Sequence, residues 1–152
     1  MILCDVNVLV HAARHDSAEH EAFSDWLESV RASEVLAVTD HVLASVVRVT
    51  THARVFPNPG TLEEALAFCR ALRSSPRCRV LTPSAGYWSV FERLIVEGRV
   101  RGPMVTDAEI AAIAMESGCT LATADRDFAR FPGLRWFHPL EDKAITMNPR
   151  RS

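Results

Sequence analysis

Lysine is nearly missing from this chain of 152 residues, in which sixteen arginines accompany a single lysine. Excess charge of either sign is missing too. Seventeen basic against nineteen acidic residues leave a formal net charge of −2, which argues against a protein that coats nucleic acid by bulk attraction. No apolar run approaches the ~18 residues of a membrane span. The N-terminus has no basic flank followed by a cleavable apolar segment, so no secretory signal is expected. The four cysteines, Cys4, Cys69, Cys78 and Cys119, lie far apart with no C-x-x-C pair. They read as buried free thiols, which fits a reducing cytoplasm. There is no internal repeat, no low-complexity segment and no linker that would divide the chain.

What remains is an ordinary globular composition, 48% apolar and 24% charged, of a length that suits one domain with a core of its own. The arginine bias has two readings. A planar guanidinium fork binds phosphate oxygens bidentately, and codon bias in a GC-rich genome produces the same composition.

Along the chain, MILCDVNVLV opens as an apolar strand into which Asp5 and Asn7 intrude, with Ile2 to Cys4 as the strand proper. Residues 17–32 (SAEHEAFSDWLESVRA) read as a helix, because Ala18, Ala22, Trp26, Leu27 and Val30 recur near the 3.6 period. VLAV is a second strand, followed by Asp40 in a helix-capping position. HVLASVVRVTTH continues as a helix with Leu43, Val46, Val47 and Thr50 on one side. HARVFPNPG is a loop by its prolines and glycine. Thr61 and Glu64 have capping-box spacing and open a helix through about Leu72. CRVL is a third strand, and a helix from about Ala85 to Glu97 stops at Gly98. Thr106 and Glu109 form a second capping box for AEIAAIAMES, closed by Gly118. TLAT is a fourth strand and LRWF a fifth. The last dozen residues are polar and expected to fray. Short apolar strands alternating with helices imply an α/β domain whose mostly parallel sheet is covered on both faces.

Parallel α/β sheets bind ligands at the carboxyl ends of their strands. Asp5 ends the first strand. Asp125 follows TLAT in the same way, with Asp127 two residues on, and Asp107 lies in the first turn of the helix that leads into that strand. Carboxylates brought so close repel unless a cation sits between them. Hard oxygen ligands suit Mg²⁺ or Mn²⁺, ions that activate water and assist attack on phosphorus. Each acid also has a plain structural reading. Asp107 can complement a helix dipole, Asp125 and Asp127 can build a turn, and Asp40 can cap a helix. Asn7 serves either as a hydrogen-bonding support or as a turn residue. Asp5 has no such reading, since an unpaired carboxylate after a buried strand costs several kcal/mol. His11, His15 and His20 read as surface histidines rather than a zinc site, and Cys4 as a small buried apolar group.

MILCDVNVLV, VLASVVRVTTHARVF and VTDAEIAAIAMESGCTLATADRDFARFPGLRW together resemble the PIN-domain ribonucleases, specifically the VapC toxins of bacterial toxin–antitoxin pairs. The resemblance spans nearly the whole chain. It implies a three-layer α/β/α fold over residues 1–140 with a polar tail at 141–152, and a cytoplasmic Mg²⁺- or Mn²⁺-dependent endoribonuclease. It further implies a homodimer held in check by a cognate VapB antitoxin. Matched by position, Asp5, Asp107 and Asp125 are the metal-binding aspartates, and Asp127 joins them as a catalytic residue. The family often carries a glutamate in the helix after the second strand, where this chain has Ser45. Two other readings stand beside this one. One is a haloacid-dehalogenase-like phosphatase, whose D-x-D would here read Asp5 and Asn7. The other is a PIN module that binds RNA or a partner without cleaving.

Overall fold

The computed structural model describes residues 1–141, and the expected polar tail from residue 142 onward lies outside them. Five strands form one sheet: β1 (Ile2–Cys4), β2 (Leu36–Thr39), β3 (Cys78–Leu81), β4 (Thr120–Ala122) and β5 (Trp136–Phe137). Their spatial order is β3-β2-β1-β4-β5, and every pairing is parallel. Between them run α1 (Val6–Ala13), α2 (His20–Ser33), α3 (Asp40–Thr50), α4 (Leu62–Arg73), α5 (Tyr87–Glu97) and α6 (Met104–Glu116), with a 3-10 turn at Arg126–Arg130.

The order of strands follows from handedness. From β1 the chain steps to β2 and β3 on one side, then crosses back to place β4 on the other side of β1. Right-handed crossovers in opposite directions deposit their helices on opposite faces. The helices accordingly pack as two groups, α1 with α2 and α3 and α3 with α4 in one, α5 with α6 in the other. The result is the expected α/β/α sandwich, with β1 at its centre. Leu3, Cys4, Leu36, Ala37, Val38, Leu121 and Ala122 of the sheet are all inaccessible to solvent. That double coverage explains why these strands read as continuous apolar runs rather than alternating ones.

Several element boundaries differ from the sequence reading. The VNVLV that looks like strand is the helix α1, and its Val8, Leu9, Val10 and Ala12 are all buried. With Asn7 and His11 as its only polar residues, so short and apolar a run cannot be told from a buried strand by periodicity alone. Asp5 makes the switch by capping the helix, its Oδ1 accepting the Val6 amide at 2.6 Å. Helix α2 begins at His20 rather than residue 17, after a turn in which the Ser17 hydroxyl pairs with His11 Nδ1 at 2.8 Å and the Ser17 carbonyl accepts the His20 amide at 3.1 Å. The cap of α3 is Thr39, whose hydroxyl accepts the Val42 amide at 3.0 Å. Asp40 is instead the first helical residue, and pairs with Arg73. The capping box expected at Thr106 and Glu109 does not form. Pro103, already at φ −58°, starts α6 three residues earlier, and Glu109 turns to His41 at 3.3 Å. Thr61 and Glu64 do form their box, and Gly118, at φ +67°, ends α6 as expected.

The loop 51–61 is tied down by a buried cation. Arg14 is 9% exposed, donates to Asp16 Oδ1 at 2.8 Å and to the Asn58 carbonyl at 2.7 Å, and lies 4.4 Å from the centre of the Phe56 ring. No helix among the described residues is long and apolar enough to cross a membrane.

The exchange of cap at α3 is directly testable. Thr39→Ala removes a buried helix cap and is expected to cost about 0.5–2 kcal/mol. Asp40→Ala loses only an exposed pairing and should change stability by under about 0.5 kcal/mol. Urea unfolding of the two variants beside the parent measures both.

Candidate active site

The crossing from β3 back to β4 creates a reversal of strand order at β1, and in such sheets the crevice beyond the strand ends at that point receives the ligand. Asp5 stands there. Its amide donates to the Ala122 carbonyl at 3.0 Å, extending the β1–β4 ladder by one residue, so its side chain emerges where the two strands end. Three neighbours grip that side chain. The Thr123 hydroxyl donates to Oδ2 at 2.7 Å, Asn7 Nδ2 donates to the same oxygen at 2.9 Å, and Oδ1 holds the Val6 amide. Asn7 in turn accepts the Ala124 amide on Oδ1 at 3.1 Å, and Thr123 accepts the Asp125 amide at 3.0 Å. A network thus binds the end of β1 to the turn after β4. Asn7 is therefore a support for Asp5, one of the two roles its sequence position allowed.

Thr123 was not singled out by sequence reasoning. The available signal was the one that marked Asp5, a polar residue at the end of an apolar strand, here with no exposure at all.

Asp5 is only 5% exposed. Burial raises its pKa to about 6, the bonds from Thr123 and Val6 pull in the other direction, and the charges of Asp107 and Asp125 push it up further. Asp107 arrives from the opposite layer. Helix α6 leads directly into β4 and so runs antiparallel to it, starting at the strands' carboxyl edge with Asp107 in its first turn. The Asp107 pKa is also raised, by burial first and then by Asp125 and Asp127, with Arg130 opposing. Asp125 caps the 3-10 turn, its Oδ1 accepting the Asp127 amide at 2.8 Å. Asp127 is more exposed and lies 3.5 Å from Arg130.

The charges of Asp107 and Asp125 thus act on Asp5, and those of Asp125 and Asp127 on Asp107. Asp40 points to Arg73, away from this group. Ser45 is buried on α3, one turn along the same helical face from His41, whose ring meets Glu109 of α6. His15 and His20 stack edge to face near Asp16 as part of the α1–α2 connection. A cavity of about 810 Å³ lies between α2 and α4, and none of the four aspartates lines it.

Among the described residues, no three Asp, Glu, His or Cys side chains are drawn together into a ready-made cation cage. The donor set nonetheless fits a hard divalent cation. Its side chains are carboxylates, two of them have pKa values raised by burial and by neighbouring carboxylates, and Mg²⁺ commonly uses one or two carboxylates and keeps several waters.

A family model described as PIN domain matches residues 2–134. Among curated proteins, the chain is 40% identical to the VapC ribonuclease Mb2897 of Mycobacterium bovis, over 93% of this chain and 97% of that one. It is 34% identical to ribonuclease VapC25 of Mycobacterium tuberculosis, over 91% and 99% of the two chains. Among solved structures, it resembles VapBC2 from Rickettsia felis, determined bound to a DNA fragment from its promoter. That likeness has a TM-score of 0.68 at 22% identity and covers 91% of this chain and 98% of the other.

The raised pKa of Asp5 carries a stability consequence of definite sign. The folded value of about 6 lies above the ordinary 3.8, so the folded state holds its proton more tightly, and this contribution to stability is lost as pH rises from about 4 to above 6. Asp5→Asn removes the titration. In chelator, its stability relative to the parent should rise by up to about 3 kcal/mol between pH 4 and pH 7. Denaturant melts at both pH values measure the difference, and a pH-independent difference would show that Asp5 titrates normally.

Proposed function

The chain belongs to the PIN domain family, and on that footing we propose that it is a divalent-metal-dependent endoribonuclease, the toxin of a toxin–antitoxin pair. The observation that carries the reading is Asp5, buried and held by three hydrogen bonds at the reversal of strand order, with the charges of Asp107 and Asp125 acting on it. The curated relatives are named as ribonucleases over nearly their whole length, which supports RNA as the substrate.

Asp5 and Asp107 are the residues to hold a Mg²⁺ or Mn²⁺ ion, with Asp125 beside them and Asp127 completing the acidic rim. Such an ion, when bound, lowers the pKa of a bound water and neutralises charge on the scissile phosphate. The chain's own part is preorganisation. Thr123 and Asn7 fix the direction of Asp5 Oδ2, and α6 delivers Asp107 from the other layer. At neutral pH Asp5 is ionised, and below about pH 6 it takes up a proton and loses its power to bind a cation. The phosphatase reading is disfavoured by Asn7, whose amide is committed to Asp5 and Thr123 in the position where an acid–base group would be needed.

Two partner readings go with this function. The relative from Rickettsia felis was crystallised as VapBC2, which supports a VapB-type antitoxin here, and an arginine supplied by such a partner would pair with the acidic rim. A homodimer is supported by α5, where Trp88 and Val96 are 63% and 69% exposed on a helix with Leu94 as its buried residue. Four buried, unpaired thiols accord with a cytoplasmic setting.

Cleavage-site mapping on total RNA tests the central reading. Cuts should appear with Mg²⁺ or Mn²⁺, vanish in chelator, and vanish in Asp5→Asn and Asp107→Asn while both variants stay folded. Cleavage that persists in chelator excludes the metal-dependent mechanism. The Ser45 position yields a separate measurement. Ser45→Glu adds a carboxylate on the face shared with His41 and should tighten Mn²⁺ binding in calorimetric titration without RNA. An unchanged affinity would show that Ser45 does not face the metal site.

A further inference from the structure

Arg130 stands at the mouth of the acidic site in an arrangement unlike that of the chain's other well-paired arginines. Arg14, Arg31, Arg73 and Arg126 each place a terminal nitrogen against a carboxylate oxygen in direct contact. Arg130 does not. Its Nε donates to the Asp127 carbonyl at 3.0 Å, which fixes the root of the fork. Of its terminal nitrogens, Nη1 rests on the Met104 sulfur, a weak acceptor. Nη2 is 3.5 Å from Asp127 Oδ1, beyond good hydrogen-bond length. The side chain keeps 33% of its exposure, and its charge acts on Asp107.

We propose that Arg130 is a positioning residue that clamps an RNA backbone phosphate beside the carboxylate site, an inference that rests on the nuclease reading above. The chemistry matches. A guanidinium presents its terminal donors as a planar fork fitted to two phosphate oxygens. Here the fork is held at its root and weakly satisfied at its tips, so a phosphate displaces only a thioether contact and a loose ion pair. The location matches as well. Arg130 bridges the 3-10 turn that carries Asp127 to Met104, the first residue of α6, three positions before Asp107. An entering phosphodiester chain meets four aspartates there, and the fork offsets part of that repulsion on the approach.

The test uses a short single-stranded RNA copied from a mapped cleavage site, cleaved in Mn²⁺ over a range of KCl concentrations. Arg130→Gln is expected to raise KM about tenfold with kcat within about twofold. The slope of log KM against log salt should fall by ~0.7, the value for one single-strand phosphate contact. Arg130→Lys keeps the charge but not the fork, so it should keep the slope while raising KM. A purely structural role would not move the salt slope. If Arg130→Gln fails to fold in a melting experiment, the Lys variant decides: raised KM with the parent's slope supports the clamp, and an unchanged KM overturns it. Parental KM and slope in Arg130→Gln, or a loss confined to kcat, also overturn it while leaving the nuclease reading intact. Absence of any RNA cleavage by the parent protein removes both.

Discussion

A carboxylate is buried at the end of the central strand, and much of the molecule is arranged around keeping it there. Asp5 is 5% exposed, and its ionised form faces the charges of Asp107 and Asp125 rather than a counterion. Hydrogen bonds from Val6, Asn7 and Thr123 make this tolerable, because donors aimed at a carboxylate favour its charged form. The same bonds do structural work. The Val6 bond starts α1, and the Thr123 and Asn7 bonds tie β1 to the turn after β4. Removing the carboxylate would relieve repulsion and also unfasten two elements, so its position balances the cost of a buried charge against the hydrogen bonds that it anchors.

The topology is what makes the convergence possible. Residues 5, 107 and 125 come within reach of one another's fields because the chain lays down β2 and β3 on one side of β1 and then returns to place β4 on the other. At that reversal the loops leaving β1 and β4 diverge to opposite layers and leave a crevice between them. Helix α6, running antiparallel to the strand it precedes, puts its positive N-terminal end at the same edge. Asp107 is thereby complemented by the helix dipole while it is repelled by its neighbours, which lets a crowded acidic site persist in a folded protein.

Charge is distributed unevenly over the chain's nearly neutral whole. Several arginines near the surface are spent on carboxylate partners, as in Arg73 with Asp40, Arg126 with Glu141 and Arg70 with Glu63, and Arg14 is buried to hold the loop 51–61. A near-zero net charge therefore does not mean a featureless field. The acidic edge and the fork of Arg130 beside it define a local pattern that the totals conceal.

By itself the sequence determined the alternation of strands and helices, the capping box at Thr61 and the end of α6 at Gly118. These depend on local chemistry: turn residues, capping spacing and apolar runs act over a few neighbours. It could not distinguish α1 from strand, since eight residues with only Asn7 and His11 polar are too short and apolar a run to show a period, and it placed the start of α6 at Thr106 where Pro103 already sets the helical φ. Nor could it select Thr39 over Asp40, because both residues are able caps and only burial and the reach to Arg73 separate them. The functions of Thr123, Asn7 and Arg130 were decided by tertiary structure alone. Each acts on a group far away in sequence or on a neighbour whose orientation the fold sets, and hydrogen-bond direction at such contacts is a property of the assembled sheet and its two helical layers rather than of any stretch of chain.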